Sequence, residues 1–155
     1  MVYTSGALRA CGANEYGQLG LGHTNDVRRL TAVPVPAPVK QVACGCRHTC
    51  VLTVDGAVLT CGSNSHGQRG LNGVPTGGQV RELRPVALPG EAAQIAGGWR
   101  QTFAVSAGGA LLGWGSTSRG QLGLCHKQDP QSLPQPIPLP AGALRVTSIG
   151  ATTNS

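Results

Sequence analysis

The side chains best suited to chemistry in this sequence crowd into one short stretch. Cys44, Cys46, His48 and Cys50 spell C-x-C-x-H-x-C. Thiolate and imidazole are ordinary zinc ligands, so the string first reads as a candidate metal centre. Side chains in a strand alternate between its two faces, so residues along one strand share a face only at even offsets. A closed site would need a neighbouring ligand set, and none is visible. His48 as a general acid or base would need a nucleophile or carboxylate beside it, and none accompanies it.

Two further patterns invite a chemical reading. Gly-Gln-Leu-Gly-Leu-Gly at Gly17–Gly22 has the close glycines of a phosphate-binding loop. It lacks the lysine of such a loop and no helical pattern follows it, so it reads as a turn. The acids Glu15, Asp26, Asp55, Glu82, Glu91 and Asp129 are single and scattered, which leaves no carboxylate pair for acid–base catalysis. The sequence therefore assigns no catalytic residue, no metal ligand and no cofactor.

The elements that would position these residues are repeated. CGANEYGQLGLG at Cys11–Gly22 returns as CGSNSHGQRGLN at Cys61–Asn72 and as WGSTSRGQLGLC at Trp114–Cys125. Gly12, Gly62 and Gly115 mark the interval, 50 and then 53 residues. That period fits one four-stranded propeller blade. SGALRACG, DGAVLTCG and GGALLGWG precede the three copies, and Val42–Val54 aligns with Ile95–Ala107. The alignment sets Cys44 against Gly97, Cys46 against Trp99, Cys50 against Phe103, and Cys11 and Cys61 against Trp114. These are packing positions, so the cysteines read as buried free thiols and His48 as a hydrogen-bonding residue within its own blade.

Each unit predicts four strands. Val39–Ala43 is the first and His48–Val54 the second, closed by the Asp55-Gly56 turn pair. Ala57–Cys61 is the third. The proline-flanked segments Val33–Pro36, Val86–Pro89 and Ile137–Pro140 are expected as the outer strand, since proline cannot donate to a central ladder. Gly12, Gly17, Gly20, Gly45, Gly62, Gly67, Gly70, Gly98, Gly115, Gly120 and Gly123 are the structural glycines of the repeat. The fold class is all-β, a partial β-propeller in a single array: partial blade 1–36, blade 39–89, blade 92–140 and the start of another at 146–155. At about 50 residues per blade, 155 residues cannot close a ring of four or more. The expectation is a piece of a longer propeller, with open edges that favour self-association.

A net charge of +6 comes mostly from arginines dispersed along the chain, with few aromatics to stack on bases. Arg28, Arg29, Arg69 and Arg119 fall in or after equivalent loops and are the candidate partner contacts, for an acidic protein surface or a nucleic-acid backbone. No run approaches the ~20 apolar residues of a membrane span, and residues 2–15 lack a secretory signal pattern. The expectation is a cytoplasmic protein, with a nuclear location as the alternative, and no membrane partner.

The blade resembles that of the regulator of chromosome condensation family. The resemblance rests on Val42-Ala43-Cys44-Gly45-Cys46-Arg47-His48-Thr49 and on Cys61-Gly62-Ser63-Asn64-Ser65-His66-Gly67-Gln68-Arg69-Gly70. Arg69 departs from the family leucine, and Gln101 stands where His48 carries the family histidine. The stretches Gln41–Gly45 and Leu59–Ser65 look most like a branch of exchange factors that regulate secretion. The resemblance implies a seven-bladed ring when complete. It also implies a protein-interaction role, binding a small GTPase and promoting nucleotide exchange without covalent chemistry. A chromatin- or DNA-binding propeller, or a scaffold without exchange activity, is the alternative.

Overall fold

A computed structural model describes residues 1–73, 75–124, 130–140, 146 and 148–151. Ten strands form three antiparallel sheets: β1 (Arg9–Gly12), β2 (Val27–Ala32), β3 (Val39–Cys44), β4 (His48–Thr53), β5 (Val58–Ser63), β6 (Gln79–Pro85), β7 (Ala92–Gly97), β8 (Gln101–Ser106), β9 (Leu111–Gly115) and β10 (Gln131–Pro136). The second sheet runs β3-β4-β5-β6, the third runs β7-β8-β9-β10 in the same sense, and the first is the pair β1-β2. These are propeller blades, and no helix occurs among the described residues.

The repeat is visible bond by bond. At the hairpin before the third strand of each unit, Tyr3 N donates to Ala7 O, Thr53 N to Ala57 O and Ser106 N to Ala110 O, at 2.9–3.0 Å. The start of the innermost strand is tied back identically: Val39 N donates to Gly6 O, Ala92 N to Gly56 O and Val146 N to Gly109 O. The remainder of that fourth unit, from 152 onward, lies outside the described residues, as do Cys125, Asp129 and Arg145.

The outer strand differs from expectation. It is β2, β6 and β10, just upstream of the proline-flanked segments. Those segments add one ladder bond each, from Val33 N to Leu8 O, Val86 N to Val58 O and Ile137 N to Leu111 O, and then leave the sheet. The outer strands β2 and β6 are largely exposed, so no apolar alternation advertises them. Pro134 and Pro136 are accommodated on the edge strand β10.

No blade encloses a core of its own. Cys50, Leu52 and Val58 pack with Ile95, Ala104, Leu112 and Trp114 between the second and third sheets. Val51 packs with Leu8, Val33 and Val39 between the first and second. Adjacent residues of β4 thus serve opposite neighbours, and β4 and β5 are buried almost throughout. Trp114, fully buried, fills the place of Cys61 and sits beneath the preceding blade's loop. A Cβ on Gly70 would stand 2.7 Å from its Nε1.

Gly62 meets a backbone demand. Its φ is +101°, and a Cβ there would lie 2.5 Å from Arg47 O and 2.8 Å from His48 Cα. Gly115 repeats this at φ +111°, against Arg100 and Gln101. Gly73 has φ +69° but open space around it. Gly62→Val should cost on the order of 2–4 kcal/mol from strain plus clash, whereas Gly73→Ala should cost about 1 kcal/mol from φ alone. Denaturant unfolding of both variants checks this, and equal losses would contradict the close approach at Gly62.

Candidate functional site

The antiparallel order sends two kinds of connection to one end of the array. The short turns 45–47 and 98–100, after β3 and β7, emerge beside the loops 13–26, 64–73 and 116–124. The hairpins at Gly6, Gly56 and Gly109 lie at the opposite end. The repeated phrase builds the loop end from within. Asn14 Oδ1 accepts from Leu19 N at 3.0 Å, and its Nδ2 donates to the carbonyls of His23 and Asn25. Asn64 Oδ1 accepts from Arg69 N in the same way at 3.2 Å. Gln18, Gln68 and Gln121 each accept from the backbone N–H two residues earlier at 2.8 Å. These polar residues fix a loop and present the glutamine carbonyl outward.

That carbonyl is where the next blade attaches. Thr49 Oγ1 donates to Gln18 O at 2.7 Å, and Thr102 Oγ1 donates to Gln68 O at 2.7 Å. His48 Nε2 lies 2.9 Å from Thr102 Oγ1. The threonine has given its hydrogen to Gln68, so the imidazole donates from Nε2 and stays neutral, with Nδ1 bare. His48 therefore clasps the following blade and does not bond within its own. Gly45 must be glycine because the His48 ring occupies the space a Cβ would need. Burial lowers the His48 pKa from 6.5 to about 4, a shift only partly offset by the Gln101 backbone. In the third unit Gln101 takes this place, and its Oε1 accepts from Arg100 N. Further ties cross the same boundary. Gln41 exchanges two hydrogen bonds with the Ile95 backbone, at 2.8 and 3.0 Å, and Cys46 N donates to Trp99 O at 3.2 Å.

The C-x-C-x-H-x-C string does not converge. His48 points to Thr102, Cys50 is buried in the core, and Cys44 and Cys46 are exposed. Among the described residues no three His, Cys, Asp or Glu side chains are placed to hold a metal. Burial raises the Cys50 thiol pKa far above its ordinary value and, with Cys44 nearby, pushes Cys61 up to about 12. The expectation of buried thiols is corrected at three positions. Cys46 occupies a turn, Cys44 ends β3, and Cys11 lies on a two-stranded sheet; all three are exposed.

The four candidate arginines do not share one surface. Arg119 is exposed at the loop end, whereas Arg28 and Arg29 are exposed on β2 at the outer rim. Arg69 is buried and is not available as a contact. Its Nη2 donates to Gly78 O at 3.4 Å, its carbonyl accepts from Thr60 Oγ1, and burial pushes its pKa down to about 10, leaving it charged. In place of the leucine at this loop position, it turns inward as the leucine would.

The structure brings forward residues that sequence reasoning passed over. The Arg47 guanidinium lies 4.6 Å from the Tyr16 ring centroid. One blade on, Arg100 Nη1 donates to His66 Nε2 at 3.1 Å. These are the same two repeat positions, visible by setting Arg47 against Arg100 and Tyr16 against His66. The contact nearly closes the cleft above the blade boundary, leaving about 30 Å³ between Arg47, Ser65, Trp99 and Arg100. Matching positions of the third blade, with Trp99, Arg100, Ser118 and Arg119, line a cleft of about 340 Å³.

Stacked four-stranded blades joined by turn-to-loop clasps define a β-propeller repeat protein. The chain matches the regulator of chromosome condensation (RCC1) repeat over residues 5–52, 55–105 and 108–154, and it belongs to that family. It is 39% identical over 143 residues to the secretion-regulating guanine nucleotide exchange factor of Bos taurus, covering 89% of this chain and 30% of that protein. It is 35% identical over 147 residues to the X-linked retinitis pigmentosa GTPase regulator homolog of Caenorhabditis elegans, covering 94% of this chain and 10% of that one. Prp20p from Saccharomyces cerevisiae has the same fold, with TM-score 0.82 at 22% identity, over 91% of this chain and 36% of that one. The chain thus spans from about a tenth to just over a third of the length of these relatives. No helix among the described residues is long and apolar enough to cross a membrane.

The clasp predicts an acid limb of stability. The unfolded chain binds a proton at His48 near pH 6.5, whereas the folded chain resists until about 4. Stability should be complete above pH 6.5 and fall through that window by on the order of 3 kcal/mol in total. His48→Gln, which copies the third unit, should fold and lose this component. Urea midpoints from pH 7.5 to 4 test it, and an unchanged slope in the variant would assign the limb elsewhere.

Proposed function

We propose that this chain is the three-repeat part of a propeller that binds a small GTPase and promotes guanine nucleotide exchange. The observation that supports it most is the RCC1 repeat running through the whole chain, joined to 39% identity with an exchange factor. Fold alone does not carry function; the likeness to that relative over nearly all of this chain supplies the rest. Such an activity asks for a rigid surface. Tighter binding to the nucleotide-free state than to the nucleotide-bound state displaces nucleotide by population shift, in proportion to that difference in affinity. Blades stapled through side-chain and backbone bonds suit the task, because little ordering is left to offset the binding energy.

Binding of the purified chain to a panel of small GTPases, each nucleotide-free or GDP-loaded, tests the reading. At least one should bind about tenfold more tightly without nucleotide, as a coupling of more than 1 kcal/mol requires. Equal affinity for the two forms across the panel, or no binding, would contradict it.

A further inference from the structure

The loop end exposes Arg47, Arg100 and Arg119. Of the described acids, Asp55 and Glu91 lie together at the hairpin end. Glu82 pairs with Arg84 on β6 at 3.3 Å, and Asp26 accepts from Asn14 N. Glu15, beside Tyr16, and Asp26 are the described acids exposed at the loop end. The arginines there are held before any partner arrives. Arg47 lies on the Tyr16 ring, and Arg100 on His66, whose Nδ1 is within 2.8 Å of Ser65 Oγ. A planar guanidinium already fixed in direction loses little entropy on forming its fork to a carboxylate. Between the two stands Trp99, 36% exposed, its backbone pinned by Cys46 N.

We propose that this row, Arg47–Trp99–Arg100, is the docking surface for an acidic polypeptide segment of a protein partner. The proposal rests on the interaction-platform reading and names the face and the chemistry. Two arginines around a half-exposed tryptophan is the composition of interface anchors, which are rich in Trp and Arg. Carboxylates would fork to Arg47 and Arg100 while an apolar side chain covers the indole. Nucleic acid fits less well. Each neutralised phosphate adds about one unit of salt dependence, and strong binders use roughly six to ten. The arginines named at the loop end, Arg47, Arg100 and Arg119, fall short of that, and Lys40 is tied to Ala93 O.

The test uses the full chain and a short synthetic peptide of alternating glutamate and glycine, followed through the indole N–H resonances. Trp114, fully buried, is the internal control. The Trp99 resonance should move and that of Trp114 should not. The same peptide with glutamine for glutamate should move neither. R47E/R100E should weaken binding about tenfold or more, whereas R28E/R29E, an equal charge change at the rim, should alter it about twofold or less. If R47E/R100E fails to fold, R47Q/R100Q replaces it. The proposal is overturned if Trp99 stays still, if both double variants lose binding alike, or if duplex DNA binds more tightly than the peptide. A GTPase that binds wild type and R47E/R100E equally would keep the platform reading and remove this face. Peptide binding at Trp99 with no GTPase bound would do the reverse.

Discussion

A threonine hydroxyl on one blade donates to a glutamine carbonyl on the blade before it, and the rest of the structure hangs on that bond. It occurs twice in the same geometry, Thr49 to Gln18 and Thr102 to Gln68, each at 2.7 Å. A neutral–neutral hydrogen bond contributes only about 1 kcal/mol net, but leaving its buried partners unmade costs more. No blade has a private core, since both apolar clusters lie between sheets. The clasp therefore fixes the spacing at which that burial happens. In a repeat array stability is a sum of unit and neighbour terms, and here the neighbour terms dominate.

The same constraint explains what the residues of the repeated phrase do in the structure. Asn14, Asn64, Gln18 and Gln68 are engaged in holding loops, the glycines in letting loops and strands approach, and His48 in backing Thr102. The phrase leaves other positions variable. Tyr16 and His66 occupy one such position, and each receives an arginine from the next blade.

Fold class, blade count and the inner three strands could be read from the sequence because they carry period-two apolar residues, a turn pair and recurrent glycines. The outer strand was misplaced because β6 is almost wholly solvent-facing, and a strand exposed on both faces has no hydrophobic period to betray it. His48 was placed inside its own blade because a sequence alignment shows which residues are equivalent, not which neighbour they touch. Arg69 reads as a loop charge from its place in the repeated phrase, but it turns inward because it stands where the other two copies have leucine. The pairing of Arg47 with Tyr16 spans 31 positions, and only the geometry of consecutive blades brings those residues together.

Hydrogen exchange of Thr102→Val measures the clasp most directly. The substitution keeps the shape of the side chain and strands Gln68 O and His48 Nε2, a loss of about 1–3 kcal/mol. If neighbour contacts hold the array together, amide protection should fall in β4–β5 and β8–β9 together, by similar factors, although the mutation lies in one blade. Loss confined to β8–β9, with β4–β5 as protected as in wild type, would show that the blades stand independently and that the clasp does not govern the fold.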